Sequence, residues 1–349
     1  MTASESKFII VGQGLAGSVL AYLLLQEGQR VHIYDSPDFP SSSKVAAGLY
    51  NPVTGRKLVK TWLAHQLFSF LETFYPQLET ELNARFFYPQ PIFRPFVNEE
   101  SQKFFKSDHV PDDFSDFATL TFENTQYKSI LQSQLGGVTT KHSGWVDLPA
   151  MLAAFKHYFT AKNLLTVGTI PTELLENNPT QTIIFCEGFS GRNNPYFNYL
   201  PFNPVKGEVL DIEIKNLYLT EIINQGAFVI PLEGESYRLG ATYSWHELDF
   251  IPTEQGKNDL IEKYQKLMKP EMRILSHRAG VRPATKDRRP LIGLHPDFRH
   301  LGIFNGLGSK GVSLAPYFAK QFVDFLVYQK ELHPEVNINR FASLYLGKK

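Results

Sequence analysis

A chain of 349 residues, 43% of them hydrophobic, has apolar material for a large core and, at roughly 100–200 residues per domain, for two domains. Its 35 basic and 35 acidic residues cancel, so the totals carry no electrostatic footprint for nucleic acid or an anionic membrane surface. The single cysteine, Cys186, excludes an internal disulfide and gives no sign of an oxidising compartment.

The chain reaches its first strand pattern within about seven residues, without the basic region and apolar core of a signal peptide. The longest helical apolar run, Val19 to Leu25, falls well short of the ~18 residues a membrane span needs, so a cytoplasmic protein with no span is expected. Lys7 to Val11 reads as a buried strand and passes directly into Gly12-Gln13-Gly14-Leu15-Ala16-Gly17, a G-x-G-x-x-G turn. Gly12 permits the tight turn, Gly14 lets backbone approach a pyrophosphate, and Gly17 lets the next helix pack on the sheet. That helix, Ser18 to Gln26, is closed by Gly28, and its free N–H groups and positive dipole end face the turn. A second strand, Arg30 to Tyr34, ends in Asp35, followed by Ser36. This is about the 20-residue distance at which an acid accepts ribose hydroxyls and repels a 2′-phosphate. Together these elements predict dinucleotide binding, the alternative being a structural glycine turn.

Beyond Asp35, the small residues Ser41 to Gly48, with Ala46, Ala47 and Gly48 at their end, read either as backbone lying against a flat or phosphorylated ligand or as a polar loop. Leu63, Leu67, Phe70, Leu71, Phe74 and Leu78 recur at helical spacing, predicting an amphipathic helix from Lys57 to Leu82. Arg56 and Lys60 at its entrance read as solvated cations or as partners for a substrate carboxylate. Phe86 to Val97, with Pro89, Pro91 and Pro95, reads as edge strands rather than a central strand. Phe86 to Leu135 holds seven acids against four bases, a poor surface for RNA.

Helices are predicted over Glu99–Lys106, Pro149–Ala161 and Thr253–Met268, the last capped by Thr253. Leu164–Val167 and Thr182–Phe185 read as strands returning to the first sheet, and Pro204–Ile214, Ala227–Pro231 and Tyr237–Thr242 as an antiparallel sheet. A last strand, Leu301–Phe304, runs into Gly306-Leu307-Gly308-Ser309-Lys310-Gly311 and a helix from Ser313 to Gln329. Two glycine turns aimed at helix starts, one early and one late, suit a single long ligand such as a flavin dinucleotide.

These motifs, in this order, resemble the FAD-dependent D-amino acid oxidase, glycine oxidase and sarcosine oxidase family over nearly the whole chain. The matching stretches are Gly12 to Gly17 with Asp35, Ala46-Ala47-Gly48, Gly144 to Asp147, Pro204 to Glu208, Gly240-Ala241-Thr242, Gly280 to Pro283 with Asp287, Pro290 and Gly293, and Gly306 to Gly311. The resemblance implies an α/β fold: a Rossmann-like FAD-binding domain (1–85, 136–205 and 276–349) interleaved with a smaller α+β substrate domain (86–135 and 206–275) on an antiparallel sheet. It implies non-covalent FAD, since no cysteine occurs near Gly306 to Lys310, and no metal. The implied chemistry is oxidation of the C–N bond of a small amine or amino acid, with hydride passing to flavin N5, imine hydrolysis and reoxidation by O2.

Arg282 aligns with the family's carboxylate-gripping arginine, and a salt bridge to Asp287 or another acid is its alternative role. Lys310 matches a lysine that meets the carboxylate or offsets charge on the flavin, or is simply solvated, and Tyr243 is expected at the pocket or in the core. Arg238 sits, in a loose alignment, where some sarcosine oxidases carry an oxygen-activating lysine. Gly188 matches a cofactor-side glycine, but the preceding Cys186-Glu187 departs from the family's small pair and has no evident reason.

The late turn also resembles the oxidase half of the bifunctional tRNA wobble-uridine enzyme, which oxidises a carboxymethylamino group on RNA. Arg288, Arg289, Arg299 and His300 would then form a basic rim. The neutral total, the acidic 86–135 segment and the lack of a methyltransferase half weigh against it. A non-catalytic flavin-binding protein and a dehydrogenase using another acceptor are the remaining readings.

Overall fold

The computed structural model describes residues 5–55, 59–106, 114–176 and 180–347. Strand β1 (Phe8–Val11), helix α1 (Leu15–Gln26) and strand β2 (Val31–Asp35) form the opening unit. β1 pairs in parallel with β2 on one side and with Thr182–Phe185 on the other. The sheet grows to six strands, with Leu165–Val167 beyond β2, Leu301–Asn305 parallel to Thr182–Phe185, and Leu291–Leu294 antiparallel at the far edge. Residues of β1 alternate between two cores: Phe8 and Ile10 face α1 and the helix Gly311–Tyr328, whereas Ile9 faces Phe197, Leu200 and Ile338. A strand buried on both faces is the reason this segment is apolar throughout.

The second layer is an eight-stranded sheet, in the order 273–282, 205–213, 236–240, 227–231, 222–225, 92–95, 137–140, 118–121. Its outer face carries Leu210, Ile212 and Leu239 against Leu260, Tyr264 and Leu267 of the helix Glu254–Leu267, which Thr253 Oγ1 caps by accepting Gly256 N at 3.0 Å. A three-stranded sheet of Leu49–Tyr50, Gly144–Val146 and Phe87–Pro89 joins the layers. The strands 92–95, 118–121 and 137–140 come from one stretch of the chain and the other five from 205–282, with strands 165–167 and 182–185 of the first sheet between them, so the chain enters the second sheet twice.

Two expectations are corrected. Ile92–Pro95 is an interior strand, parallel to Ile222–Gln225 and antiparallel to Gly137–Thr140. Its prolines are harmless because Pro91 precedes the strand, where only its carbonyl is needed to accept Ile222 N, and Pro95 ends it. The amphipathic helix begins at Ala64 rather than Lys57, preceded by a short hairpin of Val53–Thr54 with Val59–Lys60. Gly280 to Arg282 is the end of a ten-residue strand, Arg273–Arg282. Arg56, Lys57, Asp108, Asp112 and Asp113 lie outside the described residues. Among the described residues no helix is long and apolar enough to cross a membrane.

Candidate active site

The carboxyl ends of β1, β2 and strands 182–185 and 301–305 look across at the inner face of the eight-stranded sheet, and between them lies a cavity of about 890 Å³. Ligands of doubly wound sheets sit at this edge, and the volume is at the upper end of the roughly 300–1,000 Å³ of ligand pockets.

The two glycine turns, some 290 residues apart in the chain, line the same cavity. From the first come Gly12, Gly14, Leu15 and Ala16, and from the second Gly308, Ser309, Lys310 and Gly311. Asp35 and Ser36 line one end, Ala46, Ala47 and Gly48 a side wall, and Gly188 the wall between. Gly17 and Gly306 stand behind this wall as packing contacts: a Cβ at Gly17 would be 1.9 Å from Gly12 O, and one at Gly306 2.9 Å from Thr285 Cγ2. Gly12 is required where it is, because its φ is +104° and a Cβ would press to 2.6 Å from Cys186 O.

Neither helix that starts at the cavity is capped by a side chain. Gly14 precedes α1 and Lys310 precedes Gly311–Tyr328, each without a side-chain cap hydrogen bond, so two positive dipole ends point into one space. Ser43 Oγ accepts Leu15 N at 3.3 Å and flanks the first turn. Asp35 Oδ1 accepts Gln13 N at 2.8 Å, which fixes the acid beside the loop. An acid for ribose, a bare backbone cradle and two uncapped helix starts in one long cavity fit FAD.

At the other end lies Arg282. Its Nη1 donates to the carbonyls of Lys206 and Thr242, each at 3.3 Å, and its Cζ lies 4.4 Å from the centroid of the Tyr243 ring. Among the described residues it has no carboxylate partner. Asp287 pairs instead with Arg340 at 3.0 Å, which removes that alternative for Arg282. Burial lowers the guanidinium's pKa from its ordinary value, opposed by Tyr243, so a charge is held here without an internal counter-ion. Tyr243 is 59% exposed and lines the cavity, so it is not a core residue.

Lys310 is likewise accessible through the cavity and, among the described residues, has no side-chain partner. Burial, then Arg288 and Arg289, lower its pKa. Arg238 lies elsewhere: its Nε donates to Asp211 Oδ1 at 2.9 Å, Asp211 also takes Arg278 at 2.7 Å, and Arg238 does not line the cavity. The four basic residues do not form one rim. Arg289 is paired with Glu335 at 2.8 Å, and Arg299 and His300 precede the start of strand 301–305, whose other end meets the cavity. Asn224 and Phe228, neighbours across strands 222–225 and 227–231, floor the Arg282 end and were not foreseen. Neither is a motif residue, and only the folded sheet brings them under the site.

The sequence matches the DAO family, FAD-dependent oxidoreductases, over residues 7–325. It is 22% identical to the tRNA 5-methylaminomethyl-2-thiouridine biosynthesis bifunctional protein of Marinobacter nauticus, over 94% of this chain and 56% of that protein. The chain thus spans little more than half the length of that relative. It is 28% identical to the glycine oxidase of Bacillus subtilis over 38% of this chain and 37% of that one. The fold is shared with glycine oxidase from Bacillus cereus, with a TM-score of 0.76 and 21% identity over 94% of this chain and 96% of that one. L-proline dehydrogenase from P. horikoshii superposes with a TM-score of 0.75 and 16% identity over 97% and 98%. With the match covering nearly all its length, the chain belongs to the DAO family of FAD-dependent oxidoreductases, and FAD is its cofactor.

Proposed function

We propose that this protein oxidises the C–N bond of a small amine bearing a carboxylate on the reacting carbon or next to it, as in glycine or an N-substituted glycine. The observation that carries this is the half-buried guanidinium of Arg282 at the cavity, which has no carboxylate partner among the described residues. A charge held out of water calls for an anion, and a planar fork matches a carboxylate in two hydrogen bonds.

FAD, when bound, supplies the two-electron oxidant. The protein's part is to orient the substrate and manage charge. Arg282 grips the carboxylate, the Lys206 and Thr242 carbonyls and the Tyr243 ring fix the direction of the grip, and Phe228 and Asn224 bound the space available to the rest of the substrate. Among the described lining residues Asp35 and Glu187 are the only carboxylates and there is no histidine. Both acids belong to the nucleotide end, so the amine's proton passes to water. Lys310 adds positive charge at the late turn, where it favours developing negative charge. Oxygen is the proposed final acceptor.

The test is anaerobic bleaching of the yellow holoenzyme across glycine, N-methylglycine, N-carboxymethyl amines, D-amino acids and the corresponding amines without carboxylates. Bleaching confined to the carboxylated amines supports the proposal; equal bleaching by uncharged amines contradicts it.

A second reading places the same carboxymethylamino group on tRNA. It is favoured by the length of the match to the tRNA-modifying relative, which runs over 94% of this chain. The zero net charge and the separation of Arg299 and His300 from the cavity weigh against it. Under this reading bleaching requires modified tRNA, and affinity for it falls steeply with salt.

A further inference from the structure

One carboxyl in the cavity wall has no part in the proposed reaction. Glu187 follows the carboxyl end of strand Thr182–Phe185 and lines the cavity beside the first glycine turn: a Cβ built on Gly12 would lie 3.6 Å from Glu187 N. Its Oε2 accepts from Asn194 Nδ2 at 2.8 Å, and Asn194 Oδ1 in turn accepts Tyr196 N at 3.0 Å, so the carboxyl is held in place. Among the described residues no cation stands within ion-pair distance of it.

The charged groups on the surrounding elements are engaged elsewhere. Arg192 lies 4.2 Å over the Phe189 ring, Asp249 pairs with Lys206, and Asp35 accepts Gln13 N. Asn305 Nδ2 donates to Gly188 O at 2.9 Å, one residue from the carboxyl. The adjoining Cys186 thiol is buried and pushed up, in part by Glu187 itself. Burial raises the Glu187 carboxyl above its ordinary value, and the Asn194 hydrogen bond opposes this only in part.

A charged carboxylate here would face the same anion that the Gly12–Gly17 turn and the α1 dipole attract, with no cation to offset it. A neutral carboxyl at the same place is a hydrogen-bond donor. We propose that Glu187 is a cofactor-binding residue, whose neutral carboxyl donates a hydrogen bond to an oxygen of the diphosphate–ribose part of FAD and whose ionisation loosens the cofactor. The proposal rests on FAD being the ligand of this cavity. It explains a residue at which the chain departs from its family's small pair.

The experiment follows FAD release from the diluted holoenzyme by flavin fluorescence from pH 4.5, the ordinary value for the carboxyl, up to about pH 9. Wild-type affinity should fall with rising pH, by up to about tenfold per pH unit above the Glu187 pKa, because release of FAD is linked to one proton. Glu187→Gln keeps an N–H donor and cannot ionise, so its profile should be flat. Asn194→Ala removes the donor that favours the charged form, so the loss of affinity should begin at higher pH.

Parallel profiles for wild type and Glu187→Gln would overturn the proposal. If Glu187→Gln does not fold, an onset unmoved by Asn194→Ala would overturn it instead. A wild-type protein that holds FAD at no pH would overturn the family reading itself, and this proposal with it.

Discussion

The guanidinium of Arg282 lies flat on the bare α-carbon of Gly207, so closely that a Cβ at position 207 would stand 2.1 Å from Arg282 Nη2 and 2.4 Å from its Cζ. Gly207 therefore decides where the proposed carboxylate grip points. The clash is with the far end of a flexible side chain and not with backbone, so Gly207→Ala should fold with its stability little changed and move the guanidinium instead. A displacement of about 1 Å at such a grip costs on the order of 10²-fold in rate. Steady-state kinetics on the best carboxylated amine, with thermal unfolding alongside, reads both quantities. Unchanged kcat/KM would show that the position of Arg282 does not matter.

Asp35 accepts Gln13 N and faces the cavity at the end of β2. Asp35→Ala should weaken FAD binding by about 1.5–3 kcal/mol, the range for losing hydrogen bonds to a charged acceptor. Fluorescence titration of the apoprotein with FAD measures this. An unaltered dissociation constant would remove Asp35 from the site.

Arg238 and Asp211 should act on stability and leave turnover alone. Burial pushes the Asp211 carboxyl up, but Arg238 and Arg278 outweigh it and hold the group below its ordinary value. A carboxylate with a depressed folded-state pKa contributes stability that is fully present above its unfolded value of about 3.9 and is lost as pH falls through the folded value. Asp211→Asn should therefore cost about 1–3 kcal/mol at pH 7, and less as the pH drops below about 4, in urea unfolding. Arg238→Met should also lower stability, and stopped-flow reoxidation of the reduced flavin should be unchanged. Slowed reoxidation would return Arg238 to the oxygen chemistry.

Lys310 holds its proton less tightly than an ordinary lysine, through burial and through Arg288 and Arg289. Its charge is present below that lowered pKa and lost above it. Binding of a carboxylate inhibitor should loosen as the pH rises through that point, which lies below 10.5, and Lys310→Met should abolish the step. A step retained in the variant would mean that Lys310 lies away from the bound anion.

The nucleotide end was legible in the sequence because its demands are local. A turn, a close backbone approach and an acid at the end of β2 each select a residue type at a fixed spacing, so Gly12, Gly14 and Asp35 could be read in order. The substrate end was less legible. Arg282 was readable only through the resemblance, and its support is assembled from three separate strands and the segment after a fourth: Gly207 and the Lys206 carbonyl, Asn224, Phe228, and the Thr242 carbonyl just beyond strand 236–240. Arg238 misled because its position along the strand says nothing of its partner, and Asp211 on the neighbouring strand claims it. Ile92–Pro95 misled in the opposite sense. Prolines mark an edge when they fall in the middle of a strand, and here Pro91 precedes the strand and Pro95 is its last residue.

The most direct test compares wild type and Arg282→Ala by anaerobic stopped-flow flavin reduction with a carboxylated amine and with the same amine lacking the carboxylate. The account predicts that the variant loses about 2–5 kcal/mol in the second-order rate of reduction with the carboxylated amine and nothing with the other. Equal rates for wild type and variant on the carboxylated amine would contradict it.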